Sequence, residues 1–348
     1  MPMLVREPNP PRAIRAVWAV DPTEKNDGAL HHRARKTIRR IVDACADTVV
    51  EPVYVFRLST AVTADAGKSF RNELVEQAEN ALQTFVRRAK IPGLAPPRVL
   101  VSSSSSFARA AEILAEHANR FGADLLIAQT HARSGLGRFV LGSFAETLLT
   151  TAKTPVLLVN PKTSVDRRFD RILFPTNFGA RAGGQLRAVL DLAARFGSKV
   201  TLFHALEDET EKALLYSSIA GPIAILPDRR REIRARLEKH AAHWIAVAAR
   251  YGVAMDVVFR DRCRNPGEDI VKCARAMGAS LIAMETNTSP VAAMLVGSNT
   301  RTVVRKSPCP VWVLKPSPRR KNLERGAGPE LGSPPPVPPA EWPDFSSL

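Results

Sequence analysis

Cysteine is scarce in this sequence. The chain of 348 residues has four, Cys45, Cys263, Cys273 and Cys309, in no C-x-x-C pair and at no metal-ligand spacing. That excludes a disulfide framework and fits thiols kept reduced as small core residues. Long apolar runs are missing as well. No stretch approaches the roughly 18 apolar residues of a membrane span, and Met1 to Pro11 has no apolar signal segment. A cytoplasmic location with no membrane anchor is the expectation. Aromatic residues make up only 6% of the chain, and no strand-like segment interleaves them with basic residues, as a base-stacking surface would require. Acidic side chains are the other shortage, 34 against 50 lysines and arginines, for a formal charge of +16. Such a field attracts nucleic acid, acidic lipid or nucleotides without specificity. The basic residues are spread along helix-like segments, as in Lys36 to Arg40 and Arg229-Arg230-Arg231, which reads as a solvated face. Nucleic-acid binding therefore ranks third among the expected functions. No nucleophile, base and orienting group stand together, so no enzyme is expected. His31-His32 and the pair His240/His243 lack a third ligand of suitable type, so no metal site is expected.

What the chain does have is a repeat. Gly122-Ala-Asp-Leu-Leu-Ile-Ala128 and Gly278-Ala-Ser-Leu-Ile-Ala-Met284 each place a helix-ending glycine before a short apolar run, the mark of a strand buried on both faces. Each is followed by Gly-Ser (Gly142-Ser143, Gly297-Ser298), a short helix, and a strand opened by proline: Thr154 to Val159 and Cys309 to Leu314. Upstream, Ala13 to Asp21 and Arg171 to Asn177 are apolar strands ending in a polar residue. Asp21 and Asn177 stand 156 residues apart, as do Gly122 and Gly278; Gly142 and Gly297 stand 155 apart, one residue having been lost between. Strands are expected near 13–20, 52–58, 98–102, 123–129 and 155–160 in the first half. Leu74, Ala78, Leu82 and Phe85, and in the second half Ile233, Leu237, Ala241, Trp244 and Ala248, recur at helical spacing. Alternating strands and helices imply right-handed crossovers and parallel sheets. The expected fold is two tandem, doubly wound, five-stranded parallel α/β domains of Rossmann-like type, with strand order 3-2-1-4-5. They span 1–164 and 165–316, and an insertion near Glu211 to Pro227 marks the second half. A tail, 317–348, with Pro334 to Pro339 at its centre, is expected to be disordered.

In such sheets ligands sit outside the carboxyl ends of the strands, between the first and fourth. The loop Gln129 to Ser143 contains glycines, is basic, and runs into a helix N-terminus, a natural place for an anion. At this point the residues resemble the universal stress protein family, once per half over 12–316. The resemblance is carried by Gly122 to Ala128, Thr130-His-Ala-Arg-Ser-Gly, Leu141-Gly-Ser and Pro155-Val-Leu-Leu-Val. In the second half it is carried by Leu173-Phe-Pro-Thr-Asn-Phe, Val296-Gly-Ser and Ser307-Pro-Cys-Pro-Val. It implies a non-catalytic stress-response protein, with ATP, and Mg2+ alongside, as the ligand of an intact site. The family motif is Gly-x-x-Gly, nine residues, then Gly-Ser or Gly-Thr, with an Asp after the first strand. By resemblance the first-half site comprises Asp21, Gln129, Ala132, Arg133, Gly142 and Ser143. Its nine-residue spacing, Arg133 to Leu141, is intact, but Gln129 and Ala132 replace the two leading glycines. Arg133 and Arg138 offer phosphate contacts in compensation. In the second half Glu285 and Thr288 fall at the glycine positions and Asn177 replaces the Asp, so that site is expected to reject ATP or to serve another ligand. The resemblance also implies that the halves pair through their last strands, Val156–Val159 and Val311–Leu314, as an intramolecular pseudo-dimer; pairing of two chains is left open.

Several of these residues have purely structural alternatives. Ser143-Phe-Ala-Glu146 reads as a capping box, Gly142 as a turn former, Asp21 as a loop holder and Ser106 as an N-cap. A scaffold that binds protein partners and no nucleotide is accordingly the second expected function.

Overall fold

The computed structural model describes residues 13–23, 28–45, 47–58, 68–130, 142–164, 168–179, 182–207, 227–285 and 296–315. His131, Ala132, Arg133, Arg138, Thr288, the 317–348 tail and nearly all of the 211–227 insertion lie outside the described residues. The first half runs β1 (Arg15–Ala19), α1 (Gly28–Ala44), β2 (Val49–Arg57), α2 (Lys68–Ala89), β3 (Arg98–Ser102), α3 (Phe107–Phe121), β4 (Leu125–Gln129), α4 (Ser143–Thr151) and β5 (Val156–Val159). The second runs β6 (Arg171–Pro175), α5 (Ala182–Phe196), β7 (Lys199–Glu207), α6 (Pro227–Arg250), β8 (Met255–Cys263), α7 (Pro266–Ala276), β9 (Leu281–Glu285), α8 (Ser298–Lys306) and β10 (Val311–Leu314).

Local chemistry sets the element ends. Ser106 accepts a hydrogen bond from the Arg109 amide (3.4 Å) at the start of α3, and Gly122, at φ 67°, ends that helix in the left-handed region. Asn265 caps α7 through the Glu268 amide (3.2 Å), with Pro266 directly after it. The helical stripes turn inward as their spacing implies: Ala78 and Leu82 of α2, and Ala241, Trp244 and Ala248 of α6, are buried. β2 begins at Val49, three residues before the expected start at Pro52. Proline is tolerated there because β3 pairs with β2 only from Val53 onward. Val50 turns its amide and carbonyl toward Gly93 and Ala95, so the missing N–H two residues later faces an edge that β3 has not yet reached.

The ten strands among the described residues form one sheet, in the order β3-β2-β1-β4-β5-β10-β9-β6-β7-β8. Within each half the order is 3-2-1-4-5 and every pair is parallel. The halves meet at the one antiparallel pair among the described strands, β5 against β10, with Val156 opposite Val313 and Leu158 opposite Val311. Each of these short apolar strands would be a sticky sheet edge alone; pairing removes both edges. Successive strand residues feed two cores, one per face. Trp18, Ile127, Leu157 and Trp312 enter the first, and Val17, Leu126, Leu158 and Val311 the second, so both cores cross the seam.

Polar contacts across the seam repeat with the same pseudo-twofold logic. Buried Asn160, just after β5, donates through Nδ2 to the Val304 (2.9 Å) and Ser307 (3.1 Å) carbonyls at the end of α8. Lys315, just after β10, donates to the Leu149 carbonyl near the end of α4. Thus each half supplies the C-terminal cap of the other half's last helix. Glu146 of α4 and Arg301 of α8 add an ion pair at 3.1 Å.

Candidate functional site

Each half has a cleft at the carboxyl ends of its strands, beside the first and fourth. The first, about 80 Å³, is lined by Asp21, His31, Tyr54, Arg57, Phe107 and Gln129 among others. The second, about 250 Å³, has Asn177, His204, Glu285, Gly297, Ser298 and Asn299 in its wall.

Asp21 follows β1 and acts as a loop holder. Its Oδ1 accepts from the Thr23 amide (3.0 Å) and hydroxyl (2.6 Å). Asn177 does the same in the second half, accepting from the Gly179 amide at 2.9 Å. The Asp21 carboxylate also reaches into the cleft electrostatically. Burial first, and the Asp21 charge second, raise the Tyr54 hydroxyl above its ordinary pKa.

Gln129 ends β4, and its side chain occupies the cleft instead of leaving it open. It is only 6% exposed, and its amide nitrogen lies 3.2 Å from His31 Nδ1 on α1. Gln129 Oε1 is buried and has no hydrogen-bond partner among the described residues. A buried amide oxygen without a partner is destabilising by about 1–3 kcal/mol. The second half repeats the arrangement with different groups. Gln185 of α5, its amide nitrogen turned toward Glu285, donates to both carboxylate oxygens at 2.6 and 2.8 Å. In both halves, then, the first helix holds the side chain that stands where the family motif has its leading glycine.

Gly142 and Ser143 lose their structural explanations. The expected capping box is corrected: the N-cap of α4 is Gly142, with no side-chain cap, and Ser143 is the first helical residue. A hydroxyl inside the first turn is past the position from which it caps the helix. Gly142, at φ −65° and ψ 151°, has a backbone open to any residue, and a Cβ added to it would have nothing within 4 Å among the described residues. Gly297 repeats this, at φ −58° and ψ 149° with the same open space. Among the described residues, then, neither turn geometry nor packing calls for glycine at these helix starts. Gly142 and Ser143 do not line the first cleft, although the next residue, Phe144, does; Gly297 and Ser298 line the second.

Of the predicted set, the cleft brings Asp21 and Gln129 together, and Gly142 and Ser143 open the helix beside it. The sequence did not point to three further residues of the wall. His31 had been weighed only as a metal ligand. Tyr54 sits on β2, and Arg57 lies with its guanidinium 3.6 Å above the Phe107 ring while donating to the Ser105 carbonyl (2.7 Å). His31 is the fourth residue of α1 and Gln185 the fourth of α5, a match that the 156-residue offset of the repeat, which leads from His31 to Arg187, does not give. Among the described residues no cluster of His, Cys, Asp and Glu is able to hold a metal ion. No described helix is long and apolar enough to cross a membrane.

Two doubly wound sheets fused at their last strands, each with a cleft at its switch point, define a tandem Rossmann-like α/β protein. The profile of the Universal stress protein family matches it twice, over residues 15–160 and 168–315. The chain belongs to the universal stress protein family. Among solved structures it is similar to a universal stress protein from Archaeoglobus fulgidus DSM 4304. The identity is 18% over 87% of this chain and 96% of that one, with a TM-score of 0.56. A putative universal stress protein from Pseudomonas aeruginosa UCBPP-PA14 is similar at 16% identity, over 88% of this chain and 93% of that one, with a TM-score of 0.53. At these identities the likeness is one of fold. The comparison with curated proteins finds no match.

Proposed function

We propose that this universal stress protein is a non-catalytic, nucleotide-responsive protein whose first half takes ATP, with Mg2+, once the Gln129 side chain is displaced. The observation that carries the reading is the start of α4. Among the described residues nothing in conformation or packing calls for glycine at 142, and no side chain caps the helix behind it. An uncapped helix start with no Cβ at its entrance admits a phosphate to the free N–H groups. Asp21 would face the nucleoside end, and Gly142 and Ser143 the phosphate end. The fit is incomplete. A cleft of about 80 Å³ is well below the roughly 300–1,000 Å³ of ordinary small-molecule sites, so Gln129 must leave His31 before a nucleoside enters. The first half is favoured over the second because Gln129 is neutral, whereas Glu285 repels phosphate.

The small volume also supports the second reading, a scaffold that binds protein partners through its surface and leaves both clefts filled. Denaturing freshly purified full-length protein and identifying the released small molecules by mass spectrometry separates the two. Nucleotide in near-stoichiometric amount, lost in Asp21→Ala, supports binding. A clean protein that also ignores added Mg-ATP supports the scaffold.

A further inference from the structure

A third cavity lies at the seam and shares no lining residue with either cleft. It holds about 280 Å³, more than the other two, on the face of the sheet that α1 and α5 cover. Its floor repeats the pseudo-twofold relation of the halves. Leu157 of β5 stands opposite Trp312 of β10 in the antiparallel pair, and Leu125 and Leu281 hold matching places at the starts of β4 and β9. Among the described residues twelve of the fifteen that line it are apolar, so an apolar occupant fits it best. On α5, Ala188, Leu192 and Phe196 follow one another at four-residue spacing along the wall and stay only partly buried. That leaves apolar surface whose covering by a ligand is favourable. The three charged residues of the lining have partners within the protein. Asp124 Oδ2 accepts from the Arg15 amide at 3.1 Å. Burial raises the Asp191 carboxyl and the Arg195 charge acts against it, so these two lie within electrostatic reach of each other. The lining thus selects for no charge on its ligand.

Ring walls narrow the class further. Phe169 and Phe196 stack with centroids 5.2 Å apart and planes 23° apart, and Trp312 adds a third ring on the seam. Flat aromatic molecules pack well on such faces. The volume sets the size. An apolar cavity of about 150 Å³ takes one benzene ring, so this one has room for two fused rings. We propose that the seam cavity binds a neutral two-ring aromatic molecule, which touches both halves at once through Leu157 and Trp312. Such a ligand favours the fused arrangement of the sheets, because it binds only where the two halves meet. The site stands apart from the nucleotide reading of the first half, which it neither requires nor excludes.

The test uses the full chain, with naphthol as the probe and calorimetry as the readout. One site per chain is expected, with a Kd below about 1 mM, and the thermal midpoint should rise as the probe is added. Phenol, with one ring, and naphthoate, which carries a charge into an apolar wall, should each bind about tenfold more weakly. Ala188→Phe places a ring in the cavity and should weaken naphthol binding by about tenfold or more. Absence of naphthol binding to the folded wild-type chain overturns the proposal. So does naphthoate binding as tightly as naphthol, or full binding retained by a folded Ala188→Phe variant. Light scattering run alongside tests the other occupant of an apolar face: a dimer that excludes the probe assigns the cavity to a second copy of the chain and overturns the small-molecule proposal. If Ala188→Phe misfolds, a wild-type crystal soaked in naphthol decides instead. The probe is expected between α1 and α5 at the seam, and its binding only elsewhere overturns the proposal.

Discussion

Asn160 is the residue on which the fusion of the two sheets can be tested most sharply. It is 1% exposed; its amide nitrogen serves the Val304 and Ser307 carbonyls of the other half, and its Oδ1 accepts from the Lys162 amide at 2.7 Å. Val304 and Ser307 are themselves fully buried, so water cannot replace the lost donor. Asn160→Ala strips two buried carbonyls and one amide of their partners. At about 1–3 kcal/mol for a buried group left unsatisfied, and with the Lys162 amide nearer the surface, the loss should be about 2–4 kcal/mol. Urea unfolding followed by circular dichroism should show the midpoint falling at an unchanged slope, because the surface exposed on unfolding does not change. A shift below about 0.5 kcal/mol would refute the claim that these bonds hold the halves together.

Three further perturbations read other parts of the fold. Burial pushes the Lys315 ammonium down from 10.5 to about 8, so the fold disfavours its charged form. Stability should then be lowest below about pH 8, rise toward pH 10.5 and level off, and Lys315→Met should remove this rise; an unchanged pH profile in the variant contradicts it. Gly267→Ala puts a Cβ 2.9 Å from the Thr302 Cβ and 3.2 Å from the Asn299 Cα, so a destabilisation of about 1–3 kcal/mol is expected in thermal melts. Glu146→Ala removes a half-exposed ion pair with Arg301 and should change stability by less than about 1 kcal/mol; a larger loss means that the seam depends on surface charge.

The fold was readable in the sequence because it is written twice. Glycine-then-apolar runs at matching offsets mark strands buried on both faces, and alternation with helices leaves little choice of topology. The antiparallel contact of Val156 to Val159 with Val311 to Val313 followed from the family resemblance, and the apolar character of those strands agrees with it. The strand expected near 52–58 begins three residues earlier, at Val49, because the N–H that Pro52 lacks faces an edge that β3 has not yet reached. The site was less legible. Spacing located Asp21 and Gln129, but His31 carries no local signal that it will meet a side chain 98 residues away. Ser143 and Glu146 have the right spacing for a capping box and the wrong register, because the helix starts one residue earlier than that motif requires.

In the proposed function Gln129, held by His31, keeps a phosphate-ready cleft closed. Calorimetry of Mg-ATP binding to the wild-type chain and to Gln129→Gly tests it directly. Removing the side chain clears the space beside α4, and one regained charge-assisted hydrogen bond, at about 1.5–3 kcal/mol, outweighs a flexibility cost of about 1 kcal/mol. Mg-ATP is expected to bind Gln129→Gly about tenfold more tightly than wild type, at one site per chain. A folded Gln129→Gly variant that melts lower and still ignores ATP would contradict it and leave the scaffold reading in its place.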